Sequence, residues 1–310
     1  MRQRLFFILF MALGALSRGA LAQGCCGIGS SLVAGGHPTL QRGTFLLQPG
    51  ADYSSAENPT RYKAAGTLII AYGITNRLAV SLKTNYAWLH SSVLQRAVVY
   101  NGTLLFPETT IVFNNHDIGD GTIGTQFSII PLDVMHTQEL KVGADVGIPW
   151  GPDQKIANGV ELPKNMQTGS GAFSIGGFAS YTKAFPAYYL AGAATAAGRL
   201  KFQNRRKERP GNEASLLVSA IAGPFWKTRE SVSLNYKTSS ATYDVNGTKI
   251  PSTEGGRFDV IPALEFTFTE NIKATCEAEL PVWREVYQKK FGNNLGARAS
   301  MLLFIPAVRE

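Results

Sequence analysis

Four histidines, His37, His90, His116 and His136, are the imidazoles this chain has for proton transfer. His116 precedes Asp117, and both fall with His90 near one predicted rim, so an imidazole and a carboxylate could meet there. Hydrolysis needs more: a positioned nucleophile or water, and a partner that orients the base within hydrogen-bond reach. No serine stands in a nucleophile-elbow context, and the expectation is no enzyme and no catalytic residue. Asp117 and Asp120 offer two carboxylates where calcium asks for six or more oxygens. A turn at Asp120-Gly121 accounts for them without a metal.

Cysteine is nearly absent, with Cys25 and Cys26 adjacent and Cys276 alone, which excludes a disulfide framework. The vicinal pair admits a lipid attachment at Cys25, a metal or redox site, or an incidental pair. Gln23 suits a lipidated neighbour poorly, and two thiols are too few for a closed metal site. No cofactor and no metal are expected.

The charges that stand in mid-segment carry more information. Arg257, Asp259, Glu265 and Thr267 alternate with Phe258, Val260, Pro262, Leu264, Phe266 and Phe268. Glu139, Lys141, Gly143 and Asp145 alternate with Leu140, Val142, Ala144, Val146 and Ile148, and Ser81, Lys83 and Asn85 with Leu78, Val80, Leu82, Thr84, Tyr86 and Trp88. Period two over about ten residues, with charges in mid-strand, writes a strand that faces lipid on one side and a wet lumen on the other. A soluble sandwich also alternates, but its strands are shorter and its inner face is not charged. Lys83, Glu139, Lys141, Asp145, Arg257, Asp259, Glu265, Lys273, Glu277, Glu279 and Arg298 are therefore read as lumen-facing. Such a mixed set can pair across the interior and narrow or close a passage.

These residues must be held by a closed sheet, and the remaining sequence predicts one. Arg2 and Arg4 precede the apolar run Leu5 to Leu16, and Ala20-Leu21-Ala22 supplies the small residues of a cleavage site, so residues 1–22 read as a signal peptide. Its removal takes away Arg2, Arg4 and Arg18 and lowers the formal charge from +8 by three, to +5, too mild for a nucleic-acid partner. Charged residues are 17% of the chain, low for a soluble surface and natural for one in lipid. No later stretch reaches the length of a spanning helix.

Twelve candidate strands centre on 40–50, 62–72, 78–90, 116–129, 138–148, 170–183, 188–199, 213–223, 230–242, 256–268, 272–284 and 294–305. Short connections (73–77, 131–137, 184–186, 224–229, 270–271) alternate with long ones (51–61, 91–115, 149–169, 200–212, 243–255, 285–293). The expectation is an all-β, transmembrane, antiparallel up-and-down β-barrel of about 12 strands over 40–305, with both termini periplasmic. Residues 23–39 form a flexible periplasmic or partial-plug segment and 306–310 a short extension. Asn101-Gly102 and Asn246-Gly247 predict type I′ hairpins within two long loops.

Partners follow from this placement. Outer-membrane lipid surrounds the barrel. The basic run Lys201, Arg205, Arg206, Lys207 and Arg209 meets lipopolysaccharide phosphates or is simply solvated. Phe304 near the C-terminus is an aromatic of the sort the barrel-assembly machinery reads, although its parity matches Arg298 rather than Ala297, Ala299 and Leu303. Leu104, Leu105, Phe106, Ile111 and Phe113 make a long loop apolar enough to capture a small hydrophobic ligand.

Tyr72-Gly73-Ile74-Thr75-Asn76-Arg77-Leu78, Asp117-Ile118-Gly119-Asp120-Gly121 and Gly147-Ile148-Pro149-Trp150-Gly151 give the chain a resemblance to outer-membrane proteins of the phenol meta-degradation type. These are distantly similar to long-chain fatty-acid outer-membrane transporters. The resemblance implies entry of small hydrophobic or aromatic compounds. It also marks a departure, because Gln23 to Thr39 is too short for the full N-terminal plug of the fatty-acid transporters. Two functions stand at this point: uptake of such compounds, or a structural or surface-interaction barrel with a closed lumen.

Overall fold

The computed structural model describes residues 39–55, 62–95, 98–100, 103–106, 109–131, 137–157, 160–161, 167–225, 227–250, 254–286 and 296–306. Its strands are β1 (Phe45–Ser55), β2 (Tyr62–Gly73), β3 (Leu78–Gln95), β4 (Val98–Tyr100), β5 (Thr103–Phe106), β6 (Thr109–Ile118), β7 (Gly121–Ile130), β8 (Gln138–Ile148), β9 (Ile156–Ala157), β10 (Val160–Glu161), β11 (Ser174–Phe185), β12 (Leu190–Lys201), β13 (Glu213–Phe225), β14 (Thr228–Ser239), β15 (Gly255–Thr269), β16 (Ile272–Val286) and β17 (Gly296–Ile305). The one helical turn among the described residues is Pro186–Tyr188, closed by Tyr189 in the left-handed region.

Every neighbouring pair is antiparallel, and β1 closes on β17 with Phe45 opposite Ile305 and Ser54 opposite Gly296. The result is a closed barrel of 12 strands. Closure leaves no unpaired edge around the ring of twelve, where a hydrocarbon environment would penalise each exposed backbone group by several kcal/mol; β6, at the long-loop end, pairs with β3 alone among the described residues. The barrel ends of the chain, Phe45 and Ile305, lie at the rim that carries the short turns.

Period two sorts the side chains as the alternation predicts. On β15, Asp259, Ile261, Ala263 and Glu265 are buried on the inside, while Phe266 and Phe268 are exposed. Leu216, Val218, Val232 and Leu234 form part of a continuous exposed apolar exterior. Such a surface has no place in water but suits lipid. Aromatic side chains gather at both ends of that band. Trp88, Trp150, Phe173, Phe202 and Trp283 stand toward the long-loop rim, and Phe45, Phe185, Tyr188, Tyr189 and Phe268 toward the short-turn rim. Cys276 is exposed on the exterior, as its parity predicts.

Three expectations are corrected, and one strand carries a bulge that its pattern did not announce. The first strand begins at Phe45 rather than residue 40, because Gln41 to Thr44 turn inward against Gly73. The fourth strand is broken at Gly119-Asp120, so that β6 pairs the upper half of β3 and β7 its lower half. A bulge in β16 follows Pro281, which lacks the N–H a regular ladder needs. It leaves Val282 unpaired and turns Trp283 outward. Finally, Asn246-Gly247 is not a two-residue type I′ turn: only Gly247 has positive φ, and the Asp244 carboxylate accepts from the N–H groups of Asn246 and Thr248. β4 and β5 do pair around Asn101-Gly102, with Tyr100 opposite Thr103.

The parity assignment predicts opposite responses to charge. Leu234→Arg, on the lipid face between Val218 and Val260, is expected to lower barrel stability by about 2–4 kcal/mol. Thr267→Arg, on the inner parity near the short-turn rim, is expected to cost less than about 1 kcal/mol. Reversible urea unfolding in phospholipid vesicles measures both, and equal losses would refute the register.

Candidate functional site

The inner wall is the surface on which titratable groups converge. Arg257 Nη2 and Lys237 Nζ lie 2.9 Å and 3.1 Å from Glu279 Oε1, and Arg257 also pairs with Asp259. Arg298 joins Asp52 to Glu277, and the Thr67 hydroxyl donates to Asp52 at 3.0 Å. Nearer the short turns, Glu265 takes Lys273 at 3.4 Å and Arg229 at 3.7 Å. On the opposite wall Lys141 lies 3.2 Å from Glu139, and Arg199 binds Asp145 and donates to Ser174. Lys201 pairs with Glu213 at the long-loop rim. Lys83 occupies an inner position of β3, opposite Thr122.

The eleven residues read as lumen-facing thus share one surface, but not as expected. The described pairs run along the wall within or between nearby strands; none of them bridges the lumen from one wall to the other. Tilt and stagger place side chains two strands apart within reach of one another, so that a cation finds its partner locally. Asp52, Lys237, Arg199, Arg229 and Glu213 belong to the same surface, and the sequence reading did not name them. Parity alone would have found Lys237, in step with Ser231, Ser233 and Asn235. Asp52 and Lys201 were hidden by assignment to loops, whereas Arg199 and Glu213 stood at the ends of the expected strands 188–199 and 213–223, where parity would have found them as well.

Between the charged clusters the inner wall is mixed, with Gln126, Ser180, Thr195, Ser219 and Asn235 buried beside apolar side chains. Ala193, Leu217 and Ile261 pack together on it, and the Phe178 ring lies over Gly143, where a Cβ would meet it at 2.2 Å. At the short-turn end Leu40, Leu46, Ala71, Ala79 and Leu302 form a buried cluster with Phe304 against it. This resolves the parity of Phe304: no bulge is present, and the ring points inward beside Leu46. It is Ile305 that stands exposed at the end of β17.

Leu40 belongs to a strap that crosses this mouth. The Thr39 hydroxyl donates to Glu139 on β8, while Gly43 N–H donates to Gly73 and Gly73 N–H to Thr44 on the β2 side. Arg42 N–H donates to Asn76 Oδ1 in the turn. Gly73 is needed there because a Cβ would lie 2.1 Å from the Gln41 carbonyl oxygen. The turn singled out as Tyr72 to Leu78 is thus the seat of the strap.

The other two singled-out segments also meet. The Trp150 ring occupies the space a Cβ at Gly121 would need, at 1.7 Å. Asp120 accepts from Gly151 N–H and from the N–H and hydroxyl of Ser170. Burial pushes the Asp120 carboxyl up, against the pull of those donors. Lys155 donates to the Asp117 carboxylate at 3.1 Å and to the His116 carbonyl at 2.9 Å. Both carboxylates are used in fastening loop 149–173 to the rim, and no group able to hold a metal occurs among the described residues.

His116 and Asp117 are not brought together as acid and base. Neighbours in a strand point to opposite faces, and His116 Nδ1 lies 2.9 Å from the Tyr86 hydroxyl on the exterior side. His90 Nδ1 contacts Asn114 at 2.7 Å. His37, His136, Cys25 and Cys26 lie outside the described residues, as do the side chains of Leu104, Leu105, Phe106, Ile111 and Phe113.

No family model matches the sequence, and no curated protein matches it either. Solved structures do match in shape. The crystal structure of an outer membrane channel from Pseudomonas putida F1 superposes with a TM-score of 0.63 at 10% identity, covering 86% of this chain and 97% of that one. The NanC porin and the KdgM porin give TM-scores of 0.48 and 0.44 at 11% and 10% identity, each covering 83% of this chain and 98% of theirs. The first likeness bears on the fold, and it is to a membrane barrel.

Two electrical predictions follow from the inner wall. Arg298→Met leaves Asp52 and Glu277 without their shared cation, so the reversal potential in a planar bilayer under a potassium chloride gradient should move toward cation selectivity. Removing residues 23–41 clears the strap from the short-turn mouth and should raise single-channel conductance. An unchanged potential, or an unchanged conductance in a barrel that still shows heat-dependent gel migration, would contradict the respective assignment.

Proposed function

We propose that the protein is a passage barrel of the Gram-negative outer membrane, with its termini in the periplasm, that admits small hydrophobic or aromatic compounds. The observation that carries the reading is the inner wall. Its charges are compensated in place by neighbours, and the ground between them is uncharged: Leu217, Ile261, Phe178 and the cluster around Leu46, beside Ser180, Thr195, Ser219 and Asn235. A wall whose charges are already paired offers a charged solute little, and an uncharged solute gains something from its apolar side chains. The orientation rests on the rule that short turns face the periplasm and long loops the exterior. The resemblance to barrels of the phenol meta-degradation type supports the same class of solute.

The strap supports a second reading, a barrel closed at its short-turn end whose loops do the work. Thr39 and Leu40 stand across that mouth. The two readings part in vesicles. Full-length protein in liposomes is expected to speed entry of phenol-sized aromatics over charged solutes of equal size. Deleting residues 98–106, which carry the β4–β5 hairpin, should slow aromatic uptake by cells while leaving the barrel assembled. A barrel that neither conducts ions nor passes aromatics with and without residues 23–41 would make the closed, surface-interaction account the better one.

A further inference from the structure

The basic run that sequence left undivided is divided by the structure. Lys201 turns into the lumen to meet Glu213, and Arg206 donates to the carbonyl of Asp153 in the neighbouring loop. Arg205 does neither. It is exposed and stands at the tip of a turn that Asn204 fixes by accepting from the N–H groups of Arg206 and Glu208, with Lys207 at φ 60°. The turn is held on two sides, so the guanidinium is offered outward from a rigid mount.

What lies beneath Arg205 is an open cleft of about 490 Å³ on the outer side of the wall, floored by Trp150 and Phe173 and edged by Gln203 and Asn204. Phe202 N–H donates to the Phe173 carbonyl, which ties the strand ends at this point. Directly below, on the exterior faces of β11 and β12, are Ile175 and Leu200, 50% and 58% exposed, with Phe202 at 48%. From bilayer to rim the order is therefore aliphatic, aromatic, then cationic. Aromatic rings mark the boundary of the hydrocarbon, and a cation just beyond them stands at headgroup depth.

We propose that this cleft binds the phosphate-bearing glycolipid of the outer leaflet, with a lipid A phosphate on Arg205 and an acyl chain along Ile175, Leu200 and Phe202. A planar guanidinium suits a phosphate oxygen pair, which an ammonium would contact only as a point charge. Lys207 and Arg209, exposed on the same loop, add attraction without lining this cleft. The proposal rests on the long loops being exterior and is independent of what crosses the lumen.

The test uses full-length protein in detergent and native mass spectrometry with three probes: diphosphoryl lipid A, the same lipid stripped of phosphate, and phosphatidylglycerol. Wild type should retain diphosphoryl lipid A about fivefold better than the stripped form, the worth of one basic residue at a membrane surface. Arg205→Gln should remove that preference, and Phe173→Ser should weaken both lipid A forms while keeping their ratio. Arg205 and Phe173 are exposed, and retained heat-dependent migration on a gel would show that each variant still folds. A preference that survives Arg205→Gln, or is lost only with Lys207→Gln and Arg209→Gln, overturns the site. Phosphatidylglycerol competing as well as lipid A overturns the glycolipid. A cysteine placed at Lys207 that is labelled only after cells are opened overturns the leaflet, and that result would be distinct from any failure of solute passage.

Discussion

Closure of the hydrogen-bonded ladder is the constraint on which the rest of this molecule depends. Twelve strands in a lipid environment have no water with which to satisfy an open edge, so β1 must find β17 and the chain must begin and end its barrel at one rim. Once the sheet is closed, each side chain has only an inside or an outside. The same period that buries Asp259 and Glu265 exposes Val232 and Leu234.

An interior built under that rule must accommodate charges in a narrow space. The solution here is local: Glu279 sits between Lys237 and Arg257, and Arg298 sits between Asp52 and Glu277. The pairing runs along the wall rather than across the axis, and the positions between hold Leu217, Ile261 and Phe178 beside Thr195, Ser219 and Asn235. The wall is thus polar in composition yet presents little uncompensated charge.

The two ends of the barrel are finished differently. At the short-turn rim the backbone of residues 41–44 lies against Gly73 and brings Leu40 over an apolar floor. At the long-loop rim Trp150 covers Gly121 while Asp120 gathers Gly151 and Ser170. Both joints depend on a missing Cβ, and both involve the segments that gave the sequence its resemblance. Those glycines stand where the chain folds back on the wall, which is why they are recognisable although they do no chemistry.

Period-two alternation in Arg257 to Phe268 and Glu139 to Ile148 determined by itself which residues share a face, because a strand's two faces are decided by its own covalent geometry, and with the export signal it made a barrel the expectation. Turn residues likewise determined the order of short and long connections. What the sequence could not decide was anything that depends on a second strand: that Arg199 reaches Asp145 past β11, that Phe304 points in and Trp283 out, and that His116 and Asp117 part company. Strand register, the bulge after Pro281 and the inward turn of residues 41–44 are settled by contacts between residues far apart in the chain. Only the closed tertiary structure brings those contacts together.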